Sequence, residues 1–541
     1  MLVLATLLIL CVVYILLNYY NKLCYWKDKG IKYVTPLPIF GNSLPTALQS
    51  VSYTEYIDNL YKQYPNEKCC GTYQYSQPIL LLRDLDLIKR IFVRDFDAFS
   101  EHPLPSKPDD EDTLWGKNLF AAKGETWRQL RQTISPMFTT SNLKSVFDLM
   151  DNCARQLIDH LNDKKEDVIE LELRDLFKRY SSDTIASIAF GIECNSFKDE
   201  NNDFIRIGGE LTNFGGLQKL KQLLYTINPT IAKLLNVKMH PDNVSNFFRK
   251  LVKDSIRNRE DKKIMRSDYI HYLLETRRGL FKEAEGLPKT VETEFSVTKE
   301  SNLDPRNRKI TLELTDDDIT AQAIDFFYGG FYSTASLMCF CVYELAINPE
   351  IQEKLRKEVD ETLENDSADI SFGALTKMKY LDMIISGAHE EIFAKVIVKH
   401  FVLETLRKWP TAWIDRKCNK SIVIEPDDTS KERPLHLDID TVCWVPVFAI
   451  HRDPKYWPDP EKFDPERFRE ENRERIVSYS FLPFGVGPRS CVGSRFAIVE
   501  AKLIIFYIIS TYEVIPIEKS VLNKNPYLTS GDSFWFGFKR R

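Results

Sequence analysis

The residues best suited to chemistry lie near the C-terminus. There Phe484-Gly485-Val486-Gly487-Pro488-Arg489-Ser490-Cys491-Val492-Gly493 runs into an apolar helix predicted over 494–510. Gly485 and Gly487 permit a tight turn and close backbone approach to something flat. Cys491 then falls just before a helix N-terminus, whose free N–H groups and positive end favour a thiolate. Arg489, two residues away, can neutralise an acidic group. A thiolate so placed, beside glycines that clear room for a planar ligand, suits ligation of haem iron. Taken alone, Cys491 reads as a buried cysteine at a helix start; the ten-residue pattern is what favours the metal. Of the eleven cysteines none forms CxxC, and Cys69–Cys70 and Cys339–Cys341 lack zinc half-site spacing. No HExxH occurs among the eight dispersed histidines, and the odd cysteine count without a framework points to a reducing compartment.

These residues need a large scaffold. The chain has 541 residues, longer than the ~250–300 at which one core usually stops growing. With 43% apolar residues and a net charge of −5, it is neither disordered nor globally basic, so nucleic-acid binding has no electrostatic support. Pro78 to Leu82 reads as a strand, and amphipathic helices are predicted at 144–162, 168–190 and 243–274. Residues 282–309 are polar and aperiodic, a surface connection. A long helix is predicted from about Asp317 to Ile347, and short strands and turns from 410 to 490. Glu404 and Arg407 stand i,i+3 and can pair on one helix face, although singly they read as an ordinary surface pair. The class is mainly α with small β-sheets (α+β).

Leu2 to Tyr20 carries no charge and is almost long enough to cross ~30 Å of hydrocarbon as a helix. Lys22, Lys27 and Lys29 follow, which keeps that flank cytoplasmic. A cleaved signal peptide is the competing reading, but there is neither a basic n-region nor a small-x-small cleavage site. The expected organisation is therefore a transmembrane signal anchor at 1–21, a basic and proline-rich hinge at 22–42, and one large domain at 43–541.

The C-terminal pattern resembles the haem-binding signature of the cytochrome P-450 family, FxxGxRxCxG, matched at Phe484, Gly487, Arg489, Cys491 and Gly493. Further family landmarks follow in order. Trp127 and Arg131 are similar to the WxxxR that meets a haem propionate, and Glu404 and Arg407 to the ExxR pair. Arg467, in Pro465-Glu466-Arg467-Phe468, resembles the arginine that joins that pair, and Arg416 the one that reaches a propionate. Trp127 could equally be an ordinary core residue. The resemblance spans the chain, and Trp26 to Tyr33 with the polar connection looks most like insect microsomal members that oxidise foreign compounds.

Two departures stand out. The family's oxygen-binding segment, A/G-G-x-D/E-T-T/S, is Gly329-Gly330-Phe331-Tyr332-Ser333-Thr334 here. The two glycines can open a groove for dioxygen, but the acid is Tyr332 and the usual threonine is Ser333, whose rotamers are less constrained. Asp325, two turns earlier, either substitutes for the acid through water or is a surface or capping acid. The second departure is that seventeen residues, 387–403, separate Ser386 from Glu404, where the family runs straight on. A continuous helix through them would be about 100° out of phase. Ser386-Gly387 and Phe401-Val402-Leu403 are compatible with intron boundaries, which reads as an aberrant, translated intron; the alternative is a lineage insertion.

The resemblance implies one haem b with Cys491 as its thiolate ligand. It also implies O2, a lipophilic small-molecule substrate, NADPH–cytochrome P-450 reductase as electron donor with cytochrome b5 as a second, and the endoplasmic reticulum membrane. Substrate contacts are expected from 101–122, about 205–235, 321–334 and 528–532, with Phe120, Phe326, Phe327 and Phe331 as aromatic walls or plain core. Two other functions are open: a reductase-independent haem-thiolate peroxide isomerase or dehydratase, suggested by Tyr332-Ser333, and an impaired haem binder, suggested by 387–403.

Overall fold

A computed structural model describes residues 22–103, 113–199, 202–212, 242–262, 266, 268–278, 314–365, 370–372, 375, 397–410, 413–426, 433–520, 527 and 533–541. The expected anchor (1–21), the polar connection (282–309), residues 387–396 and the contact segment 528–532 lie outside them, as does most of 205–235.

Five helices position the site. They are α1 (Gly124–Ile134), α2 (Leu173–Ile185), α3 (Asp316–Ile347), α4 (Ile397–Lys408) and α5 (Ser494–Thr511). The α3 boundary follows from local chemistry. Thr315 and Asp318 form a reciprocal capping box, and Asp316, Asp317 and Asp318 place negative charge at the positive helix end. Along α3 the backbone widens to a π-turn over Gly329–Thr334. Beyond it, Leu337 to Ala346 are buried all round, so α3 is a core helix of the kind that is apolar on every face.

Three small sheets flank the helices. One has four strands in the order β1 (Cys69–Gln74), β2 (Gln77–Leu82), β7 (Val442–Val445), β4 (Ile414–Lys417), with β2 and β7 parallel. A second runs β3 (Val168–Glu172), β9 (Trp535–Arg540), β8 (Tyr512–Ile515), and β5 (Ile422–Ile424) pairs with β6 (Leu435–Leu437). The hinge segment does not stand free. Trp26 is fully buried, donates its indole N–H to Thr72 O at 3.0 Å and packs so closely on Gly71 that a side chain there would collide with it at 2.4 Å. Burial of the indole thus docks the hinge onto the first sheet.

The Glu404–Arg407 pair is an interior joint, not a surface pair. Both residues are fully buried, and the guanidinium donates to both carboxylate oxygens at 2.8 Å. It also donates to His451 O at 2.9 Å and Pro460 O at 2.8 Å. Asp464 N–H donates to Glu404 at 2.9 Å, and Arg467 approaches the same carboxylate at 3.6 Å. Of the segment 387–403, the described part helps to build α4. His400, Phe401, Val402 and Leu403 are buried, and the Phe401 ring meets Phe463 at 5.3 Å.

Breaking a buried ion pair leaves an uncompensated charge, which costs roughly 3–5 kcal/mol. Arg407→Lys keeps the charge and loses the planar fork. It is expected to lower the thermal unfolding midpoint sharply or abolish soluble protein; an unchanged midpoint would contradict the role of the joint.

Candidate functional site

The loop before α5 is fixed by backbone geometry. Gly485 and Gly487 take φ of +78° and +74°, and a side chain on Gly487 would meet Phe92 O at 2.1 Å. Only glycine fits there. The turn closes with Cys491 N–H donating to Phe484 O at 2.8 Å and Ser490 N–H to Gly487 O at 2.9 Å. Phe484 is half-buried, its ring on the core. Gly493 is the residue that caps α5, and its N–H points at the Cys491 thiol.

A histidine that sequence reasoning passed over ties this loop to the buried ion pair. His451 sits with Nδ1 3.1 Å from Arg407 O, while Nε2 accepts from Leu482 N–H at 2.7 Å. Leu482 O in turn accepts from Gly485 N–H at 3.1 Å. Burial, then the Arg407 charge, push the His451 pKa down to about 3, so the ring stays neutral with its proton on Nδ1. Nothing in the sequence marks it, because its partners are 44 and 31 residues away.

Cys491 has an exposed side chain, yet burial raises its thiol pKa, opposed by Gly493 N–H and Arg131. Its open surface therefore faces an enclosed space, not bulk water. Three arginines converge beside it. Arg131 donates to Ser490 O at 2.8 Å, and burial pushes its pKa down to about 10. Arg416 donates to Asp415 O at 2.6 Å, its Nε has no hydrogen-bond partner, and burial followed by the charge of Arg131 take it to about 10. Arg489 is wedged over the Trp127 ring at 4.3 Å and donates to Ser100 O, Phe120 O and Ala122 O; burial and its two arginine neighbours take it to about 9. Trp127 is itself buried against Phe96 at 5.5 Å, so it shapes the site by holding Arg489.

The nearby acids do not balance these cations. Asp415 is shared with His102 at 2.7 Å, and Glu101 also faces Lys123 at 4.0 Å. An excess of buried guanidinium charge with an unused N–H fits a ligand carrying carboxylates. A flat iron-binding group with two propionates, haem b, satisfies both this excess and the Cys491 thiolate.

The opposite wall is one face of α3. Asp325, Tyr328, Gly329 and Ser333 are partly or fully exposed, whereas Phe326, Phe327, Phe331 and Thr334 are buried. Asp325 lies near enough to Cys491 for its charge to raise the thiol pKa. The expected glycine pair divides: a side chain on Gly329 would meet nothing, but one on Gly330 would strike Ile185 of α2 at 2.4 Å. Gly330 therefore serves helix packing and does not open the groove. Ser333 Oγ donates to Gly329 O one turn earlier. Tyr332 is half-buried against the core. The expected aromatic walls divide too: Phe327 stacks on Phe331 at 5.2 Å and Phe326 meets Phe138 and Tyr269, all in the core, while Phe120 is open.

Thr334 turns away from Cys491 and faces Glu500 of α5. The Thr334 and Ser181 hydroxyls come near enough to favour the Glu500 carboxylate, although neither completes a hydrogen bond to it. Thr334 is thus separated from the position expected of it beside Ser333.

A sequence profile described as "Cytochrome P450" matches residues 32–388 and 396–531. "Cytochrome P450 9e2" of Blattella germanica is 36% identical over 540 residues, covering 96% of this chain and 94% of that protein. "Cytochrome P450 9c1" of Drosophila melanogaster is 33% identical over 501 residues, 92% and 90% respectively. "Cytochrome P450 6k1" of Blattella germanica is 32% identical over 538 residues, 98% and 95%. The profile match is interrupted at 389–395, inside the segment that the sequence sets apart.

Burial, against the weaker pull of Ser181 and Thr334, raises the Glu500 pKa from its ordinary 4.5 to about 8. Between those values the folded chain keeps a proton that the unfolded chain has lost, so stability falls as pH rises from 4.5 to 8. Glu500→Gln removes that dependence. Its thermal midpoint should match the parent near pH 5 and exceed it by a growing margin up to pH 8; a margin independent of pH would refute the assignment.

Proposed function

We propose, on the premise that this chain belongs to the cytochrome P450 family and is a haem b monooxygenase, that it oxidises lipophilic compounds at the endoplasmic reticulum membrane with electrons from NADPH through a membrane-bound reductase. The observation that carries this reading is the convergence of an open Cys491 thiol, two buried arginines with a third half-buried, and the bare Gly329 stretch of α3 in one enclosed space. Haem bound there would supply the oxidation, using O2, two electrons and two protons to insert one oxygen atom and release the other as water.

The roles of the chain's own residues follow from their contacts. Cys491 would hold the iron as a thiolate, an anion that Gly493 N–H and the Arg131 charge favour. Arg131 and Arg416 would hold the carboxylates of the cofactor; Arg489, pinned by Trp127, adds its charge and ties 119–122 to the cysteine loop. Gly485 and Phe484 shape the cysteine turn. Glu404, Arg407 and Arg467 are structural. On the opposite wall Gly329 leaves room for dioxygen, and Ser333 supplies a proton once its hydroxyl leaves Gly329 O. Asp325, carrying a pKa near 7 from burial, can restore that proton. Tyr332 and Thr334 take no direct part.

Residues 1–21 anchor the chain. Exposed Leu37, Ile39, Phe40 and Leu48 beside the hinge supply an apolar surface that suits the bilayer. Residues 387–403 we read as surplus to the enzyme. Removing seventeen residues would put Ile384 and Ile385 in the places of the buried Phe401 and Val402, apolar for apolar.

Four measurements test this reading. The reduced, CO-treated protein should give the strongly red-shifted Soret band of a thiolate ligand, and Cys491→Ser should lose it. Turnover should require NADPH and reductase; peroxide-driven rearrangement without them would favour the isomerase alternative. Ser333→Thr should raise product formed per NADPH, because a β-branched side chain is confined to fewer rotamers. A chain lacking 387–403 should fold and bind haem at least as well as the full one; loss of haem in that variant would show the segment to be integral.

A further inference from the structure

Three glutamates are fully buried among the described residues, Glu344, Glu404 and Glu500. Two of them have a cation: Lys408 reaches Glu344 at 3.0 Å, and Arg407 reaches Glu404 at 2.8 Å. No such partner meets Glu500 among the described residues. Lys502 is buried on the same helix, but two residues along it falls about 160° round the axis. Neither carboxylate oxygen of Glu500 has a hydrogen-bond partner.

Oxygens from three other elements gather about it. Ser181 of α2 and Thr334 in the π-turn of α3 bring hydroxyls near the carboxylate. Burial, then the Glu500 charge, push up the pKa of Tyr180 on α2 and of Tyr269 on helix Tyr269–Arg277. Ser181, Tyr180 and Tyr269 are buried, and each hydroxyl lacks a partner. Cys153, on helix Thr140–Asn162, senses Glu500 more weakly; burial and Asp183 take its thiol to about 12, so it stays neutral. The surroundings of Glu500 are thus hydroxyls and a thiol, without a positive charge.

Buried polar groups that do not bond one another are ordinarily bridged by something else. A water would serve the hydroxyls but leave the carboxylate charge unmet. A divalent ion calls for more charge than one carboxylate supplies, and no group of three or more His, Cys, Asp or Glu suited to a metal occurs among the described residues. A monovalent ion with hard-oxygen preference matches both the charge and the ligands.

We propose that Glu500, Ser181, Thr334, Tyr180 and Tyr269 form an internal site for a dehydrated alkali cation, sodium or potassium, which ties α2, α3 and α5 together. Thr334 faces away from Cys491, so the site is separate from the haem space and does not depend on the monooxygenase reading. The ion binds the carboxylate form and takes the place of the proton that burial otherwise leaves on Glu500. Its stabilising effect therefore grows as pH rises.

The haem-loaded protein is unfolded thermally in sodium, potassium or choline chloride at equal ionic strength. Choline, whose charge lies under methyl groups, cannot be ligated by these oxygens. At pH 8 the better-fitting alkali ion should raise the midpoint about 2 °C above choline. Near pH 5, where a proton holds Glu500, that margin should vanish. Glu500→Gln should erase the margin at pH 8, and Ser181→Ala should shrink it. In choline Glu500→Gln should show its full gain over the parent, and the alkali ion should narrow that gain by stabilising the parent alone. Equal midpoints in the three salts at pH 8 would overturn the proposal and leave water or a proton at the site. A margin that persists in Glu500→Gln, or that is as large at pH 5, would overturn it as a general salt effect. If Glu500→Gln does not fold, the pH dependence of the parent and the response of Ser181→Ala decide.

Discussion

Three converging guanidinium groups, two buried and one half-buried, that the protein does not neutralise are the constraint on which the rest of the site depends. Arg131 comes from α1, Arg416 from β4 and Arg489 from the cysteine loop, so their mutual repulsion opposes the approach of three separate elements. Isolated buried charges are expensive, and evolution ordinarily pairs them. Here Asp415 and Glu101 supply partial relief, and the remainder calls for anionic groups from outside the chain. Cofactor binding and folding of this region are therefore coupled: what fills the site also discharges the strain of assembling it.

A second frame works from behind. The chain of contacts from Glu404 through Arg407, His451 and Leu482 to Gly485 runs from a core helix to the turn that presents Cys491. Each link uses a group that is buried and satisfied, and the neutral His451 serves as donor on one side and acceptor on the other. The thiol position is thus set by a joint distant in sequence, with the glycine turn providing only the local shape. This explains why the ExxR pair has to be interior: an exposed pair worth a few tenths of a kcal/mol could not hold a loop rigid.

The cysteine turn was legible in the sequence because its demands are local. Two left-handed glycines, a thiol and a helix start leave few alternatives, and the helices α3 and α5 were bounded to within a residue or so of 317–347 and 494–510. What was not legible is direction. Gly329 and Gly330 are adjacent, as are Ser333 and Thr334, and each pair splits between the open face and the packed face. A rotation of ~100° per residue separates neighbours, and the π-turn at Gly329–Thr334 shifts the phase again. His451 and Glu500 stayed hidden for another reason: their partners come from distant segments, and no periodicity records them.

The same widened turn explains how α3 serves two purposes. Before it, the helix shows Asp325 and Tyr328 to the open space; after it, the helix is sealed on every side. Gly330 lets Ile185 come close enough to hold the helix in place at the point where its regular hydrogen bonding loosens. Ser333 meanwhile satisfies the Gly329 carbonyl that the π-turn would otherwise leave short of donors. The hydroxyl is therefore stored against the backbone and not aimed outward, and its release would leave a carbonyl free for water. In the proposed monooxygenase, proton supply at this wall would then be a competition between two acceptors for one hydroxyl, and the side chain at 333 and the carboxyl at 325, rather than Tyr332, would set how well oxygen activation is coupled to substrate.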